Sequence, residues 1–264
     1  MRLILPSHAT IPVRANLVLR GGGRARLGLA VRYGILLRES AGPVLIDAGW
    51  PETRDGDSHA LRLYRRALGA RIHPQAHPLC VLSRLGHAPG DLSAVILTHL
   101  HADHLGALRD LPGVPVHAHR EALKRTRTHG WRALRHGTFT ELIPDDLPSR
   151  TADLAGGDVA LPFGLGQGRD VLGDGSVLSV DLPGHADGHT GLLLPRFDPP
   201  VLFAADVQWV LDALPGRLPR GPARLVYADP ARAAGSAARV AAFRRAGGRV
   251  ILSHDPAPVP DLVA

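Results

Sequence analysis

The sequence predicts an α/β sandwich built as one domain. Short apolar runs separated by glycines open the chain, and strand-like runs then alternate with helical segments. Several of the apolar runs end directly in histidine or aspartate. The chain has 264 residues, of which 45% are hydrophobic, and it contains no linker-like stretch. We therefore expect residues 1–264 to share one large core in a single domain.

The predicted elements follow in chain order. Amino-terminal strands are predicted at residues 17–19, 27–31, 35–38 and 44–46, because glycines at 21–23, 34 and 42 punctuate them as in hairpins. Helices are predicted at about 58–68, 104–109 and 121–135. The stretch around His73-Pro74 and His77-Pro78 is expected to be a loop. Residues 139–175 are rich in proline, glycine and aspartate, which predicts loops with short strands.

The last helix carries the clearest signals. Asp229 stands at the cap position and Pro230 at the first helical position, and residues 231–246 are rich in alanine and arginine. Gly247 and Gly248 then end the segment. The order strand, helix, strand predicts that a final strand at about 250–252 follows.

Residues 98–104 read Thr-His-Leu-His-Ala-Asp-His, directly after the apolar run 95–97. Imidazole and carboxylate are ligands of first-row metals, and four of them at the end of a buried strand must be satisfied. In an extended segment His99, His101 and Asp103 project to one side, and a turn at His104 brings the fourth around. One metal cannot take all four from so short a stretch, so the segment predicts two adjacent metals.

Three further apolar runs end in candidate ligands. Residues 177–180 lead to His185, 201–205 lead to Asp206, and 250–252 lead to His254. Loops at the carboxyl ends of strands converge in α/β folds, so we expect one shared site. The predicted ligands are His99, His101, Asp103, His104, His185, Asp206 and His254.

Taken together, these motifs resemble the metallo-β-lactamase superfamily of hydrolases. The matching parts are His-x-His-x-Asp-His at 99–104, Pro-Gly-His-x-x-Gly-His at 183–189, an aspartate after a strand and a late histidine, over about residues 36–254. Within it the chain is most similar to the N-acyl homoserine lactonases, through Leu-Ile-Asp-Ala-Gly at 45–49, Pro-Val-His-Ala-His at 115–119 and Ser-His-Asp-Pro at 253–256. The resemblance implies a four-layer αββα sandwich with metals in a groove between the sheets.

The resemblance also divides the ligands between two divalent metal ions. It implies a first ion on His99, His101 and His185, a second on Asp103, His104 and His254, and Asp206 bridging them. Without cysteine the set suits zinc, while iron, manganese and cobalt stay open. Two such ions roughly 3.5 to 4 Å apart hold a bridging hydroxide as the nucleophile. Asp103 and Asp206 are the candidate catalytic carboxylates, and Asp103 is the better placed to pass a proton to the leaving oxygen.

Asp47 and His189 lie in these motifs without being predicted ligands. A carboxylate commonly holds the second nitrogen of a metal-bound imidazole, so Asp47 is either such a partner or a turn-former ahead of Gly49. His189 is predicted to brace the turn at residues 184–188.

One position departs from the lactonase pattern. Lactonases carry a tyrosine three residues after the bridging aspartate, whose hydroxyl can help hold the substrate's carbonyl oxygen, and Trp209 stands there in this chain. Indole can donate a hydrogen bond but cannot act as an acid. Tyr227 is the candidate replacement, the alternative being a half-buried tyrosine at a strand end. Trp209 and Trp50 are predicted to form an apolar wall for an acyl or aromatic group.

We therefore expect a dinuclear metallo-hydrolase that acts on a small ester-like molecule, a lactone first. Open alternatives are a phosphotriester or carboxyl-ester hydrolase, a thioester hydrolase of the glyoxalase II type, a nuclease, and a metal-binding protein without turnover. The formal charge is +7, but the arginines are scattered and do not cluster with aromatic residues. A nucleic-acid partner is therefore not expected.

The sequence also indicates the cellular compartment of the protein. The single cysteine, Cys80, rules out an intrachain disulfide. The amino terminus does not resemble a signal peptide, and no stretch approaches membrane-spanning length. We expect a soluble cytoplasmic protein with a small-molecule substrate and no membrane partner, and a homodimer stays open.

Overall fold

The computed structural model describes residues 1–19, 21–39, 41–128, 134, 136–214, 219, 224 and 226–264. Their strands are β1 Arg2–Ile4, β2 Ser7–Arg14, β3 Arg26–Arg32, β4 Gly34–Arg38, β5 Ala41–Ile46, β6 Arg71–Ile72, β7 Ala94–Ile96, β8 Val116–Ala118, β9 Thr151–Asp153, β10 Val159–Leu161, β11 Gly166–Gly168, β12 Leu178–Asp181, β13 Thr190–Leu194, β14 Val201–Ala205, β15 Arg249–Leu252 and β16 Leu262–Val263. Their α-helices are α1 Ala15–Val18, α2 His59–Leu68, α3 Pro78–Arg84, α4 Arg120–Thr128 and α5 Pro230–Arg245.

The strands form two main sheets. The first has the order β16-β1-β4-β5-β7-β8-β9, and its strands from β5 to β9 run parallel. The second has the order β12-β13-β14-β15, in which β14 and β15 are parallel. A three-stranded sheet, β3-β2-β6, and a hairpin of β10 and β11 complete the described strands. Each parallel step allows a helix to cross over the outside of the sheet.

Three buried apolar clusters separate four layers. Leu45 belongs to the cluster that joins the first sheet to α2, α3 and α4, whereas its neighbour Ile46 faces the second sheet. In the same way Phe203 faces the first sheet and Leu202 belongs to the cluster that contains α5. Successive strand residues point to opposite faces, so each sheet is covered on both sides. The four-layer αββα sandwich is confirmed.

The helix α5 is formed as the sequence predicts. The Asp229 carboxylate accepts hydrogen bonds from the backbone N–H groups of Ala231, at 2.9 Å, and Arg232, at 3.1 Å. Pro230 is the first helical residue. Val240 and Phe243 are fully buried against the second sheet. Capping and this apolar face together fix where α5 begins and how it packs.

The predicted helix at 104–109 is wrong. Two 3-10 turns, Ala102–His104 and Leu108–Asp110, stand there instead. The N–H of Gly106 bonds to the carbonyl of Gly49 at 2.8 Å, and the N–H of Ala107 bonds to that of Ala48 at 2.9 Å. These donors are taken by the loop after β5, so they cannot bond four residues back as an α-helix requires.

Two other predictions of local secondary structure are also wrong. Residues 17–19 were expected as a strand, but Ala15–Val18 is a short helix, closed by the Leu19 N–H on the Ala15 carbonyl at 2.8 Å. The expected loop at 73–78 ends in α3, because Pro78 starts a helix whose cap is the imidazole of His77.

The remaining predicted elements are largely present. The strands at 27–31, 35–38 and 44–46 and the helix at 58–68 match observed elements, and residues 139–175 hold loops with three short strands. The predicted helix at 121–135 corresponds to α4, and residues 129–133 and 135 lie outside the described part of the chain. Within that part, every helix is too short or too polar to cross a membrane.

Candidate metal centre

The seven predicted ligands meet at one edge of the sandwich. The loop after β7 brings the histidines and aspartate of residues 98–104, and His185, Asp206 and His254 follow β12, β14 and β15. The strands β12, β14 and β15 run in one direction, so their carboxyl ends share an edge. All seven side chains are buried, with relative exposures no higher than the 7% of Asp103.

The ligand atoms form three overlapping groups of three. Within each group the nitrogen or oxygen atoms lie within 4.8 Å of one another. The first group is His99, His101 and His185, the second is Asp103, His104 and His254, and the third, His99, His104 and Asp206, shares a histidine with each of them. The first two are the sets that the resemblance implies, one for each metal ion.

Asp206 lies between the two groups. Its Oδ2 is 2.9 Å from Nε2 of His254 and 3.4 Å from Nε2 of His185. Its Oδ1 is 3.5 Å from Nε2 of His104. One carboxylate thus reaches imidazoles of both groups, which is the geometry that a shared ligand requires.

Hydrogen bonds fix the tautomers of two imidazoles. Nδ1 of His254 donates to the carbonyl of Ala30 at 2.6 Å, and Nδ1 of His104 donates to Oδ2 of Asp47 at 2.8 Å. Because a carbonyl or carboxylate oxygen only accepts, both Nδ1 atoms carry the proton. In the neutral rings, the Nε2 lone pairs therefore face the centre of the site, as in metal-bound histidines.

Several ligand atoms have no hydrogen-bond partner among the described residues. They are Nε2 of His99, Nε2 of His104 and Oδ1 of Asp206. Buried polar atoms are nearly always paired, because leaving one unpaired costs about 1–3 kcal/mol. Three such atoms in one buried site are explained when divalent cations bind there, so these residues fit a metal centre.

Asp47 takes both of the roles that the sequence left open. Besides His104, it accepts hydrogen bonds from Thr98, from the backbone N–H at 2.8 Å and from Oγ1 at 2.9 Å. Nδ1 of His99 in turn donates to Oγ1 of Thr98, at 3.1 Å. The backbone of Asp47 has a φ of 59°, as its turn ahead of Gly49 requires. One carboxylate therefore shapes the turn and orients two imidazoles.

His189 uses both nitrogens on the backbone. Nδ1 donates to the carbonyl of Leu182 at 2.8 Å, and Nε2 accepts from the N–H of Asp206 at 3.1 Å. No lone pair is left for a metal. His189 braces its turn as predicted and also holds the backbone of Asp206.

Burial lowers the pKa of three histidines of the site, whereas neighbouring carboxylates raise the pKa of a fourth. Burial, reinforced by neighbouring imidazoles, lowers the pKa of His99 and His185 and lowers that of His101 to about 4. These rings are therefore neutral near pH 7, the form that binds metals. Burial opposes protonation of His104 too, but the carboxylates of Asp47 and Asp206 outweigh it and raise its pKa. The carboxylates thus give the centre a negative potential that attracts cations.

A second histidine cluster lies outside the centre. His8, Glu52 and His77 also have ligand atoms within 4.8 Å of one another. Nδ1 of His8 accepts from the N–H of Trp50 at 3.1 Å, however, and Nδ1 of His77 accepts from that of Leu79 at 3.2 Å. Both neutral rings must then carry their proton on Nε2. Neither imidazole therefore has a free lone pair for a metal, and His8 holds the loop at Trp50.

A cavity of about 430 Å³ opens onto the candidate metal ligands. Its walls are mostly apolar and come from β2, β3 and α2, including Ile11, Val13, Leu29, Ala67 and Leu68. At its base lie His101, Asp103, His185, Asp206 and His254. An acyl chain would bury apolar surface here while its polar end reaches the centre.

The predicted aromatic residues have different places. Trp209 lines the cavity, as expected. Trp50 is only 1% exposed and lies behind the wall, where it stacks on Tyr64 at a ring distance of 5.8 Å. Tyr227 packs its edge on His185 at 5.1 Å, and its hydroxyl is buried without a described partner.

Two lining residues with polar side chains were not predicted from the sequence. They are Tyr64 and His136, and His136 also lines a neighbouring, more polar cavity of about 400 Å³. Tyr64 lies in an arginine-rich helix and His136 in an irregular segment, so neither belongs to a motif. No local signal could have found them, because only the packing of distant segments brings them to the site.

Comparison with known proteins gives a family match over most of the chain. The model of the metallo-beta-lactamase superfamily matches residues 29–254. An N-acyl homoserine lactonase, AttM, of Azorhizobium caulinodans is 31% identical over 179 residues, or 65% of this chain and 61% of that protein. A probable metallo-hydrolase of Mycobacterium tuberculosis is 26% identical over 231 residues, or 81% of this chain and 68% of that protein. The match to the lactonase therefore covers less than two thirds of its length.

Solved structures show the same fold. An N-acyl homoserine lactone hydrolase, with the product N-hexanoyl-L-homoserine bound at its catalytic metal centre, superposes with a TM-score of 0.69 at 21% identity, covering 96% of this chain and 93% of the other. A dizinc quorum-quenching lactonase, AidC, gives a TM-score of 0.65 at 14% identity, covering 97% and 88%. At these identities the likeness concerns the fold alone.

Proposed function

The chain belongs to the metallo-β-lactamase superfamily, and on that premise we propose that it is a metal-dependent hydrolase whose preferred substrate is an acyl lactone. The observation that carries the proposal is the pair of buried ligand groups joined by Asp206 at the base of an apolar cavity. Two divalent cations, with zinc the expected metal, would be held by His99, His101 and His185 and by Asp103, His104 and His254, with Asp206 as the shared ligand.

Bound divalent cations would polarise the substrate's carbonyl and lower the pKa of a water that attacks it. Residues of the chain transfer the proton and hold the site in position. Asp103 lines the cavity beside His254, whose Nε2 is 3.3 Å from Oδ2 of Asp103. This carboxylate can take the proton of the attacking water and return it to the ring oxygen when the acyl C–O bond breaks. Asp47 and His189 hold His104 and the backbone of Asp206 in register for both steps.

The cavity favours an acyl lactone over other esters. Its apolar walls would accommodate an aliphatic chain, and its base presents only ligand histidines and carboxylates to the ester. Relatives that bear lactonase names support the same substrate class. Trp209, in the wall, would pack against the acyl chain or the lactone ring.

A substrate panel tests the proposal. Purified protein is assayed with short- and long-chain N-acyl homoserine lactones, an aryl ester, a phosphotriester and a glutathione thioester. We expect kcat/KM for the long-chain lactones to exceed that for every other class by about tenfold or more, because several methylene groups enter the apolar cavity. Activity should stop after chelation and return with added zinc.

The outcomes of the panel separate the claims. A preference for the phosphotriester or thioester would contradict the lactone assignment. The proposal that the protein is a metal-dependent hydrolase would still hold. Absence of metal-dependent hydrolysis across the whole panel would contradict the proposed function itself.

A further inference from the structure

One residue that carries a hydroxyl lines the cavity from the middle of α2. Tyr64 lines the cavity together with Asp103, Asp206 and His254. Among the described lining residues it alone carries a hydroxyl, and that hydroxyl makes no hydrogen bond to the part of the chain that the structure describes. An unpaired donor therefore borders the space that a substrate would occupy.

The ring of Tyr64 is held by two aromatic neighbours. Trp50 stacks on it with an angle of 18° between the ring planes, and Phe139 packs at a ring distance of 5.0 Å. Trp50 is fully buried, so it supports Tyr64 from behind. A donor fixed in this way loses little freedom when substrate binds, as a preorganised catalytic group requires.

Tyr64 keeps its proton near neutral pH. Burial raises the pKa of the phenol well above its ordinary value. An ordinary phenol is already protonated at neutral pH. Tyr64 is therefore a hydrogen-bond donor that faces the two catalytic carboxylates.

The other candidate donors are less well placed. The hydroxyl of Tyr227 is sealed from the cavity, and its ring packs on His185 instead. Trp209 lines the cavity but offers only an indole N–H. This chain has Trp209 where lactonases carry a tyrosine, three residues after Asp206. Tyr64, in a different segment of the chain, can supply the missing hydroxyl.

We propose that Tyr64 is a further catalytic residue, whose hydroxyl donates a hydrogen bond to the substrate's carbonyl oxygen as charge develops on it. The proposal rests on the proposed function. As the water oxygen bonds to the carbonyl carbon, the C=O bond becomes single and its oxygen gains the electron pair. When the C=O bond forms again, the bond to the ring oxygen breaks. Tyr64 keeps its proton throughout, so the proton balance stays with the water and Asp103.

Tyr64→Phe tests this role, because it removes the hydroxyl and retains the ring between Trp50 and Phe139. We expect kcat for a long-chain acyl lactone to fall by about 10- to 100-fold with little change in KM, since the lost bond strengthens in the transition state. The metal content should stay that of the wild type. Tyr33→Phe is the matched control, because the Tyr33 hydroxyl donates to the carbonyl of Ala76, at 3.0 Å, and does not line the cavity.

Equilibrium binding gives a readout that is independent of turnover. The ring-opened acyl homoserine product places a carboxylate where the ester carbonyl was, so it can accept the same hydrogen bond. By calorimetry we expect its Kd to rise about threefold to tenfold in Tyr64→Phe, as the loss of one hydrogen bond predicts. The Kd should not change in Tyr33→Phe.

Several results would overturn the proposal. An unchanged kcat, a change in KM alone, or loss of metal in Tyr64→Phe would show that Tyr64 only packs against the acyl chain or the fold. Each of these leaves lactone hydrolysis by the wild type intact and so leaves the proposed function standing. A wild type without lactone hydrolysis would instead remove the proposed function, and Tyr64's role with it.

Discussion

Asp206→Ala is expected to lose bound metal and hydrolysis together. The carboxylate of Asp206 reaches His185, His254 and His104, and so connects both ligand groups. Its removal leaves these three imidazoles without their shared anion. Loss of an outer partner of a ligand already costs roughly 10- to 100-fold in affinity or activity, so losing a shared ligand should cost more than about 100-fold.

The measurement is metal content by mass spectrometry beside kcat/KM for a long-chain acyl lactone. Asp212→Ala is the control, because Asp212 follows the same strand but is exposed and lies outside the cavity. It should keep both metal and activity. Thermal unfolding of the two variants shows whether each remains folded. Full hydrolysis by a metal-free Asp206→Ala protein would contradict the mechanism.

Gly184→Ala should have the largest effect on stability. Gly184 has a φ of 122°, a backbone conformation that residues with a side chain rarely adopt. An added Cβ would lie 2.0 Å from the backbone nitrogen of Ala233 and 2.5 Å from its Cα. Both neighbours belong to the backbone of α5, so neither can give way cheaply. Strain and overpacking together should lower the free energy of unfolding by about 2–5 kcal/mol. Displacement of the adjacent His185 should also reduce metal binding.

Gly235→Ala is the matched control within the same helix. Gly235 is exposed in α5, and an added Cβ there would meet no atom within 4 Å. Alanine should stabilise the helix by roughly 0.5–1 kcal/mol. Urea denaturation measures both variants. A Gly184→Ala protein as stable as Gly235→Ala would show that α5 does not pack on the Pro-Gly-His turn as described.

The candidate ligands were predictable because each one lies in the loop that follows a strand. Asp206 directly follows β14 and His254 stands two residues after β15, and the parallel arrangement of these strands brings both residues to one edge. The last helix was predictable for a local reason, because Asp229 and Pro230 define its start without help from the rest of the fold. Where local chemistry and tertiary structure agree, the sequence is sufficient.

The wrong predictions lie where contacts between distant segments determine the backbone conformation or the residues that line the cavity. The turn after His104 is not a helix, because Gly106 bonds to Gly49 across the site. Trp50 was expected in the wall, but the helix α2 places Tyr64 in front of it. Nothing in the neighbouring sequence of Tyr64 encodes that placement. Substrate recognition is therefore less predictable than metal binding, because it depends on segments that meet only in the folded chain.

The number of metal ions per chain tests the central claim most directly. Protein purified in zinc-containing medium is freed of loose metal, and its zinc and protein contents are measured on the same sample. The two ligand groups predict two ions per chain, because His8 and His77, in the other cluster, have no free imidazole lone pair. Two ions that are lost with hydrolytic activity on chelation would support the account. One ion or none in fully active protein would contradict it.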